Sequence, residues 1–214
     1  MYIFDVDGTI LDTVNSIQYH ANKTFKKYNL GSLEREDYER FLGNGAKYMI
    51  DKALDKLGEF NLEKREEILK IYNKSYDQNP SYLTKAYPKI KEVLKKLKEE
   101  NTLVAFSNKP HSTLTKVIKD VFGEDLFDYV LGQSDRYKRK PSPEGIYIIK
   151  DRFRVNSDEI LYFGDSEVDI LCGKNAGVFT IACSWGFRDR KFLEKQNADL
   201  IIDDAKEILN IRRV

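Results

Sequence analysis

The feature that most constrains the fold is a series of short apolar runs separated by helix-like segments. Consecutive apolar positions in a short run are typical of a strand that is buried on both faces. The runs are Tyr2–Val6, Leu103–Ser107, Tyr129–Leu131, Ile160–Phe163, Val178–Ala182 and the weaker Leu200–Ile202. Alternation of such strands with helices predicts an α/β fold with a doubly wound parallel sheet.

The segments between these strands carry one apolar face. Ile90, Val93, Leu94 and Leu97 follow the i, i+3, i+4, i+7 spacing of a helix, with Lys and Glu on the other face. The same spacing recurs from Leu114 to Val121. Both segments therefore predict amphipathic helices that cover the sheet.

The connection between the first and second strands is too long for a single crossover. It contains about a hundred residues, where a crossover needs only a few tens. Residues 14–80 read as helical and lack strand-like runs. We therefore predict a small helical cap at 14–80, inserted into an α/β core formed by 1–13 and 81–214 and joined to it near Thr13–Val14 and Pro80–Ala86.

Composition limits the partners that the chain can have. The net charge is +1 although 33% of residues are charged, so no large field of one sign favours nucleic acid or a membrane surface. Two cysteines in apolar surroundings favour a reducing compartment over a disulfide framework. With no membrane-length apolar run and no basic leader, we expect a cytoplasmic protein, either a monomer or a homodimer, without nucleic-acid or membrane partners.

Polar residues concentrate at four strand ends, where open α/β sheets bind ligands. The first strand closes on Asp5-Val6-Asp7-Gly8-Thr9. One of the two acids can attack while the other handles a proton, and the flexible glycine lets the turn amides of Val6, Gly8 and Thr9 meet phosphate oxygens. The ordinary alternative is a strand-ending Asp-Gly turn.

Two further motifs supply a hydroxyl and a cation. Ser107 and Asn108 end the second long strand, where a hydroxyl and exposed amides can bind phosphate, although a helix cap is an ordinary explanation. Lys140 precedes a proline and can offset phosphoryl charge. A solvated lysine in a proline turn is the alternative, and the neighbouring Lys138 and Arg139 leave the assignment ambiguous.

The fourth motif is acidic and follows the Ile160–Phe163 strand. Asp165 ends that strand, and Asp169 lies one helical turn further on the same side. Together with Asp5, these carboxylates would repel one another unless a cation lay between them, and hard oxygen ligands favour Mg²⁺. Acidic capping of a helix N-terminus is the alternative.

The four motifs, in this order and over nearly the whole chain, resemble the haloacid dehalogenase-like hydrolase superfamily. The pair formed by Asp5–Thr9 and Gly164–Asp169 is highly specific. Ser107–Pro110 and Lys140–Pro143 most resemble the phosphoglycolate phosphatase branch, and the insertion resembles the superfamily's helical cap class.

The resemblance implies a role for each matched residue. Asp5 would attack phosphorus and form an aspartyl-phosphate, and Asp7 would protonate the leaving alcohol and then activate water. Ser107 would hold a phosphoryl oxygen with the backbone amide of Asn108 nearby, and Lys140 would neutralise charge around the nucleophile and the phosphate.

The resemblance also implies a Mg²⁺ cofactor. Asp165 would bind Mg²⁺ together with Asp5 and the Asp7 carbonyl oxygen, and Asp169 would support the waters of the metal or the lysine. The dehalogenases of the superfamily lack an acid at the place of Asp7, so its presence here favours phosphoryl chemistry.

Other polar and aromatic residues are assigned by their local pattern. The loop Phe41–Lys47 resembles the family's substrate-specificity loop, and Lys47 either contacts a substrate anion or is a solvated helix lysine. We expect His20 to pack on a helix face and His111 to start a helix. Trp185 and Phe187 are interpreted as packing residues.

The leading hypothesis is a Mg²⁺-dependent phosphatase whose partner is a small phosphorylated metabolite, a phosphate monoester such as phosphoglycolate. The nearest alternative is a sugar-phosphate phosphomutase that resembles β-phosphoglucomutase and shares all four motifs. A pyrophosphatase or nucleotidase is a third option. A binding module is disfavoured because Asp5, Asp7, Lys140 and Asp165 are all present.

Overall fold

The computed structural model describes residues 1–211 and contains the predicted α/β sheet. The strands are β1 (Tyr2–Phe4), β2 (Leu11–Asp12), β3 (Lys85–Ala86), β4 (Leu103–Pro110), β5 (Tyr129–Gln133), β6 (Leu161–Gly164), β7 (Phe179–Cys183) and β8 (Leu200–Ile202). Within the described residues, six of them form a parallel sheet in the order β5-β4-β1-β6-β7-β8. The predicted fold class is therefore confirmed.

The helices follow the apolar spacings seen in the sequence. They are α1 (Val14–Lys26), α2 (Arg35–Phe41), α3 (Ala46–Lys56), α4 (Leu62–Gln78), α5 (Ile90–Lys98), α6 (His111–Phe122), α7 (Glu144–Phe153), α8 (Glu167–Ala176) and α9 (Arg190–Glu194). All four predicted apolar positions of α5 are buried. As expected, His111 is the first residue of its helix.

The chain forms two compact units. One consists of residues 1–12 with 86–214 and contains the six-stranded sheet, and the other consists of residues 13–85 and contains α1 to α4. In the helical unit, His20 is buried, and its ring nitrogens lie 2.9 Å from Ser75 Oγ and 3.3 Å from the Asn79 carbonyl oxygen. Burial lowers the pKa of this imidazole. The role of the helical unit as a cap remains a prediction.

The sheet is buried on both faces, as the uninterrupted apolar runs predict. Ile3 belongs to the core cluster on one face, with helices α7 and α8, and Phe4 to the cluster on the other face, with α5 and α6. Both side chains are fully buried. The Phe4 ring stacks on Phe163 of β6 with a centroid distance of 4.7 Å. These contacts hold the central strand in a fixed register between its neighbours.

That register determines which side chains meet. Phe4 lies opposite Ala105 of β4 and Phe163 of β6. On one side of β1 the sheet continues with β4 and then β5, and on the other side with β6, β7 and β8. The direction in which the chain adds strands to the sheet therefore reverses at β1. Ligand sites of open α/β sheets lie at such a reversal, outside the carboxyl ends of the strands. β1 ends there because the chain turns back, with the Leu11 amide donating to the Val6 carbonyl.

Among the described residues, no helix is both long and apolar enough to cross a bilayer.

We predict that Phe4→Ala lowers the free energy of unfolding of the sheet unit by about 3–5 kcal/mol, because it leaves a cavity beside Phe163. Chemical denaturation followed by fluorescence of Trp185 measures the change. Phe179→Ala is the matched control, because Phe179 is 44% exposed and its loss should cost less than about 1 kcal/mol. Equal losses in the two variants would contradict this account of the core.

Candidate active site

The ends of β1, β4 and β6 bring three of the four sequence motifs together. Asp5 directly follows β1, and its amide donates to the Phe163 carbonyl of β6 at 2.8 Å. Asp165 directly follows β6, and Ser107 lies near the end of β4. All three side chains are buried. Parallel register alone places these residues at one edge of the sheet.

Lys140, on the segment that leads into α7, reaches this edge and completes the site. Its Nζ lies 2.6 Å from Asp5 Oδ1 and 2.6 Å from Asp169 Oδ1, and the side chain is only 2% exposed. Burial by itself would lower the pKa of Lys140, but the Asp169 and Asp5 carboxylates outweigh it and raise that pKa. The ammonium therefore stays charged inside the protein.

Asn108 fixes the backbone that carries Lys140. The Lys140 amide donates to Asn108 Oδ1 at 2.8 Å, and Asn108 Nδ2 donates to the Lys140 carbonyl at 3.1 Å. By contrast, Lys138 is 82% exposed and pairs with Glu144. Geometry therefore distinguishes Lys140 among the neighbouring basic residues, which composition could not do.

Asp169 is held by donors on both oxygens. Oδ1 accepts from Lys140 and from the Tyr162 hydroxyl at 2.8 Å, and Oδ2 accepts from Ser166 Oγ at 2.5 Å. Burial alone would raise the pKa of Asp169, but the Lys140 charge and these hydrogen bonds lower it. Asp169 is thus an ionised carboxylate that anchors Lys140.

Asp5, Asp165 and Asp169 form a buried cluster of oxygen donors. One carboxylate oxygen of each lies within 4.8 Å of the others. Burial raises the pKa of Asp5, and the Asp169 and Asp165 charges add to this although Lys140 opposes it. Burial and the Asp169 charge likewise raise the pKa of Asp165 to about 7, against the opposing hydrogen bonds from Phe187 and Thr9.

The charge of this cluster fits a divalent cation. Three carboxylates and the single ammonium of Lys140 leave two negative charges uncompensated when all are ionised, since −3 + 1 = −2. Hard oxygen donors of this kind bind Mg²⁺ or Ca²⁺. A divalent cation would balance the cluster and relieve the repulsion that raises the pKa of Asp5 and Asp165.

The side chain of Asp7 lies next to a buried cation. Lys109 Nζ is 3.1 Å from Asp7 Oδ1, and the Lys109 side chain is 5% exposed. The two atoms are not aligned for a hydrogen bond, and within residues 1–211 this oxygen accepts none. A buried acceptor without a hydrogen bond is costly and is often found at a functional site. Because this ion pair is neutral, it leaves the charge balance of the cluster unchanged.

The other residues predicted to contact substrate from the core are engaged in the turn after β1 or in β4. The Gly8 amide donates to the Leu11 carbonyl, and the Thr9 hydroxyl donates to Asp165 at 3.1 Å. Val6 is fully buried. Ser107 Oγ accepts from the Lys109 amide. Phosphate contacts by these groups remain predictions.

Lys47 lies in the first turn of α3, in the helical unit. Its ammonium pairs with Asp51 at 2.9 Å, and its side chain is 67% exposed. Gly43 and Gly45 of the preceding loop both have positive φ, at 111° and 86°, so this turn uses conformations that favour glycine. A substrate contact by Lys47 remains a prediction.

Several residues of the site were not identified from the sequence. Tyr162 and Ser166 hold Asp169, and Lys109 pairs with Asp7. Phe187 was interpreted as packing, but its amide donates to Asp165 Oδ2 at 2.7 Å. Ser166 and Lys109 lie inside the recognised motifs, so their position was a usable signal. Tyr162 and Phe187 gave no signal because one is a strand residue and the other acts through its backbone.

A buried carboxylate cluster at the strand-order reversal of a doubly wound sheet suits a hydrolase that uses a metal. The chain matches the family model of haloacid dehalogenase-like hydrolases over residues 2–183. It therefore belongs to the haloacid dehalogenase-like hydrolase family, which confirms the resemblance found from the motifs and the prediction of an enzyme.

Individual relatives extend over almost the whole chain. The phosphoglycolate phosphatase of Vibrio parahaemolyticus is 27% identical over 97% of this chain and 93% of its own length. That of Aquifex aeolicus is 30% identical over 86% of this chain and 84% of its own length. A solved structure from Haemophilus somnus, described as a predicted phosphoglycolate phosphatase, has a TM-score of 0.92 at 25% identity and covers 98% of this chain and 96% of its own.

We predict that Lys140→Met lowers the free energy of unfolding by about 3–5 kcal/mol at neutral pH without added metal, because it leaves buried carboxylates unpaired. Lys138→Met, which removes an exposed ammonium, should change it by less than about 0.5 kcal/mol. Adding Asp169→Asn to Lys140→Met should restore part of the loss. Denaturation curves measure the free energy of unfolding of all three variants. The proposed charge balance would be contradicted if the double variant were less stable than Lys140→Met. It would also be contradicted if Lys140→Met alone lowered the free energy of unfolding by less than about 1 kcal/mol.

Proposed function

We propose that the protein is a Mg²⁺-dependent phosphatase that hydrolyses a small phosphate monoester through an aspartyl-phosphate on Asp5. The observation that carries this proposal is the position of Asp5. Its buried carboxylate contacts the Lys140 ammonium at 2.6 Å and lies in the same cluster as Asp165. Membership of a hydrolase family and similarity to phosphoglycolate phosphatases support the same reaction class.

Mg²⁺ would be held by Asp5, Asp165 and the Asp7 carbonyl oxygen. The charge of the cluster favours a divalent cation, and its donors are all oxygens. When bound, the ion supplies positive charge that stabilises the transferring phosphoryl group. Asp169, unlike Asp165, is paired directly with the Lys140 ammonium and accepts two further hydrogen bonds, from Tyr162 and Ser166, so we assign it to Lys140 and to the waters of the metal.

The first step would transfer the phosphoryl group to the protein. An Asp5 oxygen attacks phosphorus, an O–P bond forms to Asp5, and the bond to the leaving alcohol breaks. Asp7, in its protonated form, gives its proton to that alcohol as general acid. Lys140, Ser107 and the backbone amide of Asn108 hold the phosphoryl oxygens. Preorganised donors of this kind lower the barrier because they need no rearrangement during the step.

The second step would regenerate the enzyme. Asp7, now ionised, takes a proton from water as that water attacks phosphorus. The bond between phosphorus and Asp5 breaks, which releases inorganic phosphate and leaves Asp7 protonated for the next cycle. One residue can serve as acid and then as base because the two steps run in opposite directions through the same position.

We predict that Asp5→Asn lowers Mg²⁺-dependent hydrolysis of p-nitrophenyl phosphate by on the order of 10³-fold or more, because it removes the nucleophile. Circular dichroism should show that the variant is folded. Asp135→Asn, which changes an exposed acid outside the site, is the matched control and should keep wild-type activity. Full activity in Asp5→Asn would rule out the assigned nucleophile.

The substrate that we propose is phosphoglycolate, the substrate named for several relatives of 25–30% identity. We predict that kcat/KM for phosphoglycolate exceeds that for 2-hydroxyethyl phosphate, which lacks the carboxylate, by at least about 10-fold. Phosphate release measured with each compound tests this. Equal kcat/KM values for the two compounds would contradict recognition of the substrate carboxylate and would leave the proposed phosphatase reaction unaffected. Transfer of the phosphoryl group to a sugar hydroxyl would favour the phosphomutase alternative.

A further inference from the structure

The segment that follows β7 packs directly against Asp165. The Phe187 amide donates to Asp165 Oδ2 at 2.7 Å, and the Trp185 indole Nε1 donates to the Thr9 carbonyl at 2.9 Å. The Thr9 hydroxyl in turn donates to Asp165 Oδ1 at 3.1 Å. Donors on two different segments therefore hold the two oxygens of one carboxylate, and Trp185 ties those segments to each other.

Gly186 makes this arrangement possible because there is no space for a side chain. A Cβ atom at this position would lie 2.3 Å from Asp165 Cβ, 2.4 Å from the Gly8 carbonyl oxygen and 2.5 Å from Asp165 Oδ2. Two of these three atoms belong to the carboxylate residue, and the third is backbone of the first motif. Neither Asp165 nor the Gly8 backbone can move without disturbing the site, so any larger residue at position 186 must displace the segment or Asp165.

Gly8 limits Asp165 from the first motif. A Cβ atom on Gly8 would lie 2.2 Å from Asp165 Oδ2, and the φ of Gly8 is +96°. The Asp165 side chain is thus enclosed by two glycines, and its carboxylate is oriented by Thr9 and Phe187. Rotation of the carboxylate away from Asp5 and Asp169 would break at least one of its hydrogen bonds.

From this geometry we propose that Trp185-Gly186-Phe187 is a positioning segment that sets the affinity of the site for its divalent cation by fixing the orientation of Asp165. The inference rests on the cation site of the proposed function. Groups that orient a metal ligand from outside the coordination sphere commonly contribute 10–100-fold to metal affinity. The segment acts through Asp165, so its residues are positioning residues and not ligands.

The chain carries its own reporter for this experiment. Trp185 is the only tryptophan in the sequence, and its indole is hydrogen-bonded to the Asp5–Thr9 motif. A Mg²⁺ titration followed by tryptophan fluorescence, with isothermal titration calorimetry in parallel, therefore measures cation binding without measuring activity.

We predict that Gly186→Ala raises the Mg²⁺ dissociation constant by about 10–100-fold. Gly177→Ala is the matched control. Gly177 lies in the same unit and has φ +67°, but nothing lies within 4 Å of an added Cβ, so this variant should lose stability and keep its Mg²⁺ affinity. A purely structural role for Gly186 would instead lower the unfolding midpoint and leave the dissociation constant unchanged.

A second variant covers the case in which Gly186→Ala does not fold. Trp185→Phe removes the indole donor but keeps an aromatic ring, and we expect a several-fold weaker Mg²⁺ affinity by calorimetry. If Gly186→Ala folds and binds Mg²⁺ with wild-type affinity, the positioning role is overturned and the cation site stands. If Gly186→Ala does not fold, wild-type Mg²⁺ affinity in Trp185→Phe has the same meaning. Absence of Mg²⁺ binding by the wild-type protein would overturn the cation site, and the positioning role with it.

Discussion

The site depends on one buried cation, the Lys140 ammonium, which lies 2.6 Å from both Asp5 and Asp169. Without it, carboxylates from two different strand ends would repel one another in an environment that already penalises charge. Its presence lets Asp169 stay ionised and keeps an oxygen of Asp5 in a fixed position. Asn108 contributes by holding the Lys140 backbone through two hydrogen bonds. The ammonium thus links the β4 motif, the lysine motif and the two acidic motifs in one network.

One ammonium does not neutralise the cluster, and this shortfall explains much of its chemistry. In the cluster without a cation, burial and like charge raise the pKa of Asp5 and of Asp165. A divalent cation would offset the like charge and favour the ionised form of Asp5, as a nucleophile requires. The same groups therefore connect folding, cation binding and the proposed reaction. Burying these charged groups is expected to cost stability, because their desolvation is only partly offset by the Lys140 ion pairs.

Most of the fold could be predicted because burial on both sheet faces leaves a direct trace in the sequence. The runs at β1, β4, β6 and β7 are apolar at consecutive positions, and the structure shifts their ends by no more than three residues. The first run was predicted to continue to Val6, but β1 ends at Phe4. An apolar side chain such as Val6 can be fully buried in a turn as well as in a strand, and composition does not distinguish the two.

The acidic residues of the site could be predicted for a different reason. Parallel strands end at one edge, so polar residues at successive strand ends must come close. Composition alone did not distinguish Lys138, Arg139 and Lys140, and Lys140 was selected only by the family resemblance. Which of these side chains turns inward depends on the contacts that Asn108 makes with the backbone. The contact between the Tyr162 hydroxyl and Asp169 could not be predicted either, because a tyrosine in a buried strand is usually a packing residue. Contacts made by backbone groups, such as the Phe187 amide, leave no trace in residue type.

The most direct test of the account is to trap the covalent intermediate. The wild-type protein would be mixed with Mg²⁺ and a phosphorylated substrate, quenched in acid within the first turnover, digested and examined by mass spectrometry. The account predicts one phosphoryl group on the peptide that contains Asp5, located on the Asp5 side chain. A phosphoryl group on another residue, or full turnover with an unmodified Asp5 at every quench time, would contradict it.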